Sequence, residues 1–161
     1  MTSLISSLLL AASILSGPQP TQKQLSLLDS LKQFEGHWKG IFALGSIKMD
    51  VDLTWKPFAG RWAEVSYTYT APKMKLEYRV MVTPNPENKG FNIWMFGDEM
   101  PTPDLMTGVM EGKTLNVIHN RQNEPDVKFS IDAQKNLVIS VVSSVEKDAE
   151  IGHAALKRVK E

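Results

Sequence analysis

The chain contains no cysteine. That excludes disulfides, thiolate nucleophiles, zinc fingers, iron–sulfur centres and a cysteine-linked lipid anchor. It also lacks net charge, with 18 Lys and Arg against 18 Asp and Glu in 161 residues. A balanced chain has neither the basic footprint that nucleic acid requires nor a polybasic stretch to hold it on an anionic membrane. No G-x-S-x-G elbow, P-loop, dinucleotide fingerprint or H-E-x-x-H pair occurs, so the common hydrolase, nucleotide and zinc-protease signatures are missing. There is no internal repeat and no low-complexity tract. The one long apolar run, residues 4–15, is too short to cross a bilayer comfortably.

That run sits in MTSLISSLLLAASILSG, which carries no charge up to Gly17. Its apolar length, followed by the small residues Ser16 and Gly17, fits a cleavable export signal over residues 1–17, although no Lys or Arg precedes it. The alternative is an uncleaved N-terminal anchor. Either outcome exports the domain attached to it, so the expected location is secreted or periplasmic, with no stable membrane insertion once a signal is removed. Residues 18–23 read as a linker and residues 24–161 as one domain, long enough to bury a real core.

The hydrophobic period changes once along this domain. QLSLLDSLKQF places Leu25, Leu28, Leu31 and Phe34 on one helical stripe, with Leu27 beside it, and Gly36 stops the helix. Beyond Gly36 the period is two. Ile47, Met49, Val51, Leu53 and Trp55 alternate with Lys48, Asp50, Asp52 and Thr54; Met74, Leu76, Tyr78, Val80 and Val82 alternate with Lys75, Glu77, Arg79 and Met81. Such alternation marks strands with one wet and one buried face. Val65, Tyr67 and Tyr69 share a face between them, and turn-rich pieces such as PNPENKG, RQNEPD and DAQKN separate the later runs. No second helical pattern intervenes, which disfavours a βαβ arrangement. The expected fold is all-β: an antiparallel up-and-down β-barrel of about eight to ten strands with one N-terminal α-helix, closed because closure removes exposed sheet edges.

A helix followed by FEGHWKG, a strand meander and a final LKRV resembles the lipocalin-like calycin superfamily. In that group a G-x-W motif opens the first strand and a basic residue near the last strand covers the indole. Gly36, His37 and Trp38 match G-x-W, and Arg158 is the matching basic residue. The pieces LLDSLKQFEGHWKG, AGRWAEVSYTY and DLMTGVMEGKTLNV are most similar to the lipocalin-like domains of unknown function in many bacterial proteins. The resemblance implies a barrel with a cavity, and little more about function.

The function this suggests is binding of a small apolar or amphipathic molecule inside the barrel. The candidate lining residues are Met49, Val51, Leu53, Val65 and Tyr67, together with Tyr69, Leu76, Tyr78 and Val80. His119, in register with Leu115 and Val117, is a further candidate for an inward side chain. No cofactor is expected on this reading. An alternative is a haem barrel similar to nitrobindins, with His153 as axial ligand on the face carrying Ile151 and Ala155, and Gly152, Ala154 and Ala155 leaving room for a flat group. Another is a small-molecule enzyme using Tyr67 and Tyr69. It resembles phenolic acid decarboxylases, with Glu64, Glu77 and Arg79 nearby, although alternation puts those three on the opposite face. A last alternative is a barrel with a filled interior that serves as an interaction module. Glu35 and His37 read as outward residues flanking a structural motif, and Asp98, Glu99, Asp104 and Glu111, with Pro101 and Pro103 among them, as a solvated rim loop. Met95, Met100, Met106 and Met110 flank that loop and could line a mouth.

Overall fold

The computed structural model describes residues 21–160 except 86, 88, 122, 147 and 148, so the expected export signal lies outside the described residues. Thr21 caps the helix that opens the described residues. Its side chain accepts from the Gln24 backbone N–H at 3.3 Å, and the Gln24 side chain accepts from the Thr21 N–H at 2.8 Å. This reciprocal box satisfies two N-terminal donors and fixes where helix α1 (Gln22–Leu31) begins. One 3₁₀ turn, Lys32–Phe34, tightens its end.

Ten strands follow: β1 (Gly36–Leu44), β2 (Ile47–Phe58), β3 (Trp62–Ala71), β4 (Met74–Asn85), β5 (Gly90–Gly97), β6 (Asp104–Glu111), β7 (Thr114–His119), β8 (Asp126–Ile131), β9 (Leu137–Val142) and β10 (Glu150–Arg158). Each pairs antiparallel with the next, and β10 returns to β1, so the sheet is a closed up-and-down barrel, with a single short α-helix among the described residues. The two-residue alternation of β2 becomes its two surfaces: Met49, Val51, Leu53 and Trp55 are buried, while Asp50, Asp52 and Lys56 face solvent.

The seam between β1 and β10 is tight. A Cβ at Gly40 would lie 2.9 Å from Leu156 Cδ2 and 3.0 Å from the Ala155 carbonyl oxygen, so only glycine lets the two strands meet there. The core runs the length of the barrel and is plugged at one end by the helix, whose Leu31 and the following Phe34 are buried. That end collects the Gly36 start of β1, the β2–β3 turn and the Arg158 end of β10. The opposite rim collects the β1–β2, β3–β4, β5–β6, β7–β8 and β9–β10 connections.

Candidate functional site

At the plugged end, Trp38 is 1% exposed and its indole N–H donates to the Phe34 carbonyl at 2.8 Å. The Arg158 guanidinium stands over that indole, with Cζ 4.6 Å from the ring centroid, and donates to the Glu35 carbonyl at 2.7 Å. Gly36 sits at φ +133°, and a Cβ there would press on the guanidinium at 3.3 Å. Three residues thus form one stack: a backbone bend that needs glycine, an indole filling the barrel end and a cation lying over it. His37 points outward and bonds Asp52 at 2.7 Å, so FEGHWKG contains no inward acid–base pair. Asp52 is partly desolvated, which opposes ionisation. Hydrogen bonds from Lys39 and His37 outweigh this and hold its carboxyl below the ordinary value.

Inside the barrel lies an apolar cavity of about 100 Å³. Of the residues expected to line it, Leu53, Val65, Tyr67, Tyr69, Val80 and His119 do so. Met49 and Val51 are buried in the core, and neither they nor Leu76 and Tyr78 border this space. The wall also includes Trp55, Ile93, Met95, Met106, Leu115, Val117, Phe129 and Ile139. Trp55 is packed against Phe34 of the plug and against Phe129, with centroids 5.2 and 5.8 Å away. It is 2% exposed, and its indole N–H has no hydrogen-bond partner among the described residues.

Toward the rim the lining becomes polar. Tyr67 stacks on Tyr78 at 5.0 Å and meets Tyr69 edge-on at 5.3 Å, because β3–β4 register sets Tyr67 opposite Tyr78. The Tyr67 hydroxyl donates to the Met95 sulfur at 3.1 Å, a weak acceptor. Burial raises all three phenols above their ordinary value: Tyr69 up to about 12, and Tyr67 and Tyr78 also upward. The Glu99 carboxylate bonds Tyr78 and adds to the shift there.

Beside them, Asp104 at the start of β6 is only 6% exposed. It holds His119 Nδ1 at 3.0 Å through one oxygen, and the other lies 3.4 Å from Arg121 Nε. A carboxylate on Nδ1 fixes the ring orientation and directs its bonded tautomer, leaving Nε2 as the nitrogen able to meet a guest.

Two sequence expectations need correcting. His153 lies on the outer surface with its side chain about half exposed, bonded to Glu150 at 2.7 Å, so it is no axial ligand for a haem inside this barrel. The inward residues of β10 are Gly152, Ala154 and Leu156, and the space beside Gly152 belongs to Phe42, whose Cζ would stand 2.7 Å from a Cβ there. Alternation sets Glu64, Glu77 and Arg79 on the face opposite Tyr67 and Tyr69, and Glu64 and Arg79 are found there. The tyrosines face inward, whereas Glu64 pairs with Lys56 at 3.5 Å and Arg79 at 3.3 Å on the outside. Asp104 is not a solvated rim residue but a buried partner of His119.

Sequence reasoning missed Trp55 as a polar group and Asp104 as a positioning group. A signal for Asp104 exists in the sequence: Asp104, Met106 and Gly108 keep step with each other, which puts the carboxylate on the inward face of β6. Among the described residues, no group of three or more His, Asp or Glu side chains is placed to hold a metal ion. No model of a known protein family matches the chain, and no curated protein matches it either.

Proposed function

We propose that this protein is an exported lipocalin-like barrel that binds a small apolar or amphipathic molecule in its interior. The observation that carries the reading is the apolar space of about 100 Å³ inside the barrel, with polar groups gathered at its rim end. Apolar burial supplies the affinity of such a site, and a few polar groups fix the orientation of the guest. The G-x-W stack supports the lipocalin-like part of the reading, and the uncharged apolar residues 4–15 support export.

Size bounds the guest. A dry cavity of roughly 150 Å³ accepts benzene; this space is smaller, so it suits a short chain as it stands and a single ring once the wall re-packs. Met95 and Met106 in the wall have the torsional freedom to re-pack around it. The test is a thermal-shift titration with small ring compounds. A guest that binds only the folded state raises Tm in proportion to the logarithm of its concentration. Val117→Phe, which fills the space, should abolish that rise. The absence of any shift across ketones, phenols and hydrocarbons of this size would count decisively against the proposal.

A second reading, a barrel that works as an interaction module, is favoured by one feature of the outer wall. Phe58 and Phe96 are 46% and 43% exposed, and they border Trp62, Trp94 and Met81, with the two indoles 5.6 Å apart. A contiguous exposed aromatic patch is uncommon on a protein that works alone. If the patch is the working surface, Trp94→Ser lowers association in sedimentation experiments and leaves the interior thermal shift unchanged.

A further inference from the structure

A buried donor without a partner is costly, and folded proteins keep few of them. Trp55 has one: its side chain is 2% exposed, borders the cavity, and carries an indole N–H with no partner among the described residues. Resting on the reading of the barrel as a container, we infer that the guest is an uncharged molecule of about one ring's size carrying a hydrogen-bond acceptor oxygen, a carbonyl or an ether, that accepts from Trp55 Nε1.

The chemistry is set by the surroundings. An indole N–H only donates, so the complementary group must accept. Phe34 and Phe129 pack against its ring, and most of the cavity wall it borders is apolar, Leu53 and Leu115 included. An ionised carboxylate brought there would lose its hydration with one hydrogen bond in return, whereas a ketone or ether oxygen loses much less. Tyr67, the nearest rim phenol, sits opposite Leu53, one inward position from Trp55 on the adjacent strand, and lines the same cavity. Its hydroxyl already donates to the Met95 sulfur, whereas the Trp55 N–H has no partner among the described residues, so Trp55 is the buried donor left for a guest. The competing occupant is water, whose oxygen would satisfy the same N–H.

The experiment compares cyclohexanone with methylenecyclohexane, which has the same ring with =CH₂ in place of =O. ¹⁵N-labelled protein gives one indole N–H resonance for each of four tryptophans, and a through-space contact to Phe129 assigns that of Trp55. The expected result is that cyclohexanone binds roughly tenfold more tightly than the hydrocarbon and moves the Trp55 proton downfield. In Trp55→Phe the preference disappears while the hydrocarbon still binds. The two-ligand comparison on the unaltered protein carries the test if that variant folds poorly. Equal affinities with an unmoved Trp55 resonance overturn the inference and leave the container reading standing. A water contact to the Trp55 N–H that persists at saturating cyclohexanone overturns it as well. If neither compound perturbs any interior resonance, the container reading falls and the inference falls with it.

Discussion

The two ends of the barrel are built on different principles. At the plugged end the stack is held by matched groups: the Trp38 N–H to the Phe34 carbonyl, and Arg158 to the Glu35 carbonyl and the indole face. The groups there are large, few and locked. At the rim end the polar groups are several and weakly or indirectly held. Tyr67 has only a thioether, Tyr78 leans on Glu99, and His119 depends on Asp104 for its orientation. The contrast teaches where stability resides, and Trp55, packed on the plug with an unmatched N–H, marks where the matched end stops and the cavity begins. Matched, close-packed ends hold a fold together, whereas groups with spare hydrogen-bonding capacity are free to meet something else.

The largest blow to the plugged end is Trp38→Ala. Removing a fully buried indole should cost about 3–5 kcal/mol, read as a fall in the urea midpoint with the slope retained. Should the loss be under about 1 kcal/mol, the plug is not where stability resides and the contrast collapses. At the rim, Asp104→Ala strands His119 and Arg121 without their carboxylate and should cost about 1–3 kcal/mol. It should also scatter the His119 ring orientation, visible as exchange broadening of its NMR signals.

A third prediction uses pH. The chain has only three tyrosines, and all of them lie in the rim cluster. Tyr69, with an ordinary value of 10.0, is raised to about 12 in the folded state, and burial raises the other two as well. The folded state therefore holds these protons more tightly than the unfolded one. Their stabilising contribution is complete below pH 10 and is lost as pH rises toward and through about 12. Ultraviolet titration should show no phenolate near pH 10, then a steep rise coincident with unfolding. A smooth titration of all three near 10 would mean that the rim is open to water. The smallest effect is expected outside both ends: Glu150→Gln removes the exposed partner of His153 and should change stability by less than about 0.5 kcal/mol.

Much of the fold is legible in the sequence because residues 47–55 in β2 and 74–82 in β4 alternate, and a two-residue period admits few other structures. The site is less legible, for reasons of parity. On β10 the outward face carries Ile151 and Ala155, and the inward face carries Gly152 and Ala154. By hydrophobicity the wrong face looks buried, and His153 goes with it. A one-residue ambiguity moves every side chain to the other surface. The small inward residues are explained by a partner that sequence cannot place beside them, the Phe42 ring from the neighbouring strand. Asp104 is obscured by Pro101 and Pro103, which advertise a loop immediately before a strand that begins with a buried carboxylate. The orphan N–H of Trp55 is invisible for another reason: a missing partner is a property of the whole interior, not of any short stretch.

The pairing of β1 with β10 also governs how the molecule comes to be. Arg158 bonds the Glu35 carbonyl across 123 residues and pairs with Trp38 beside it, so the contact that finishes the plug needs one of the longest loop closures among the described residues. Such topologies fold slowly, and until the last strand docks, β1 and β9 each present a bare edge. A ribosome cannot release a finished barrel piecemeal. The chain must stay soluble with its seam unzipped, a state in which a shortened C-terminus would turn a monomer into a template for aggregation.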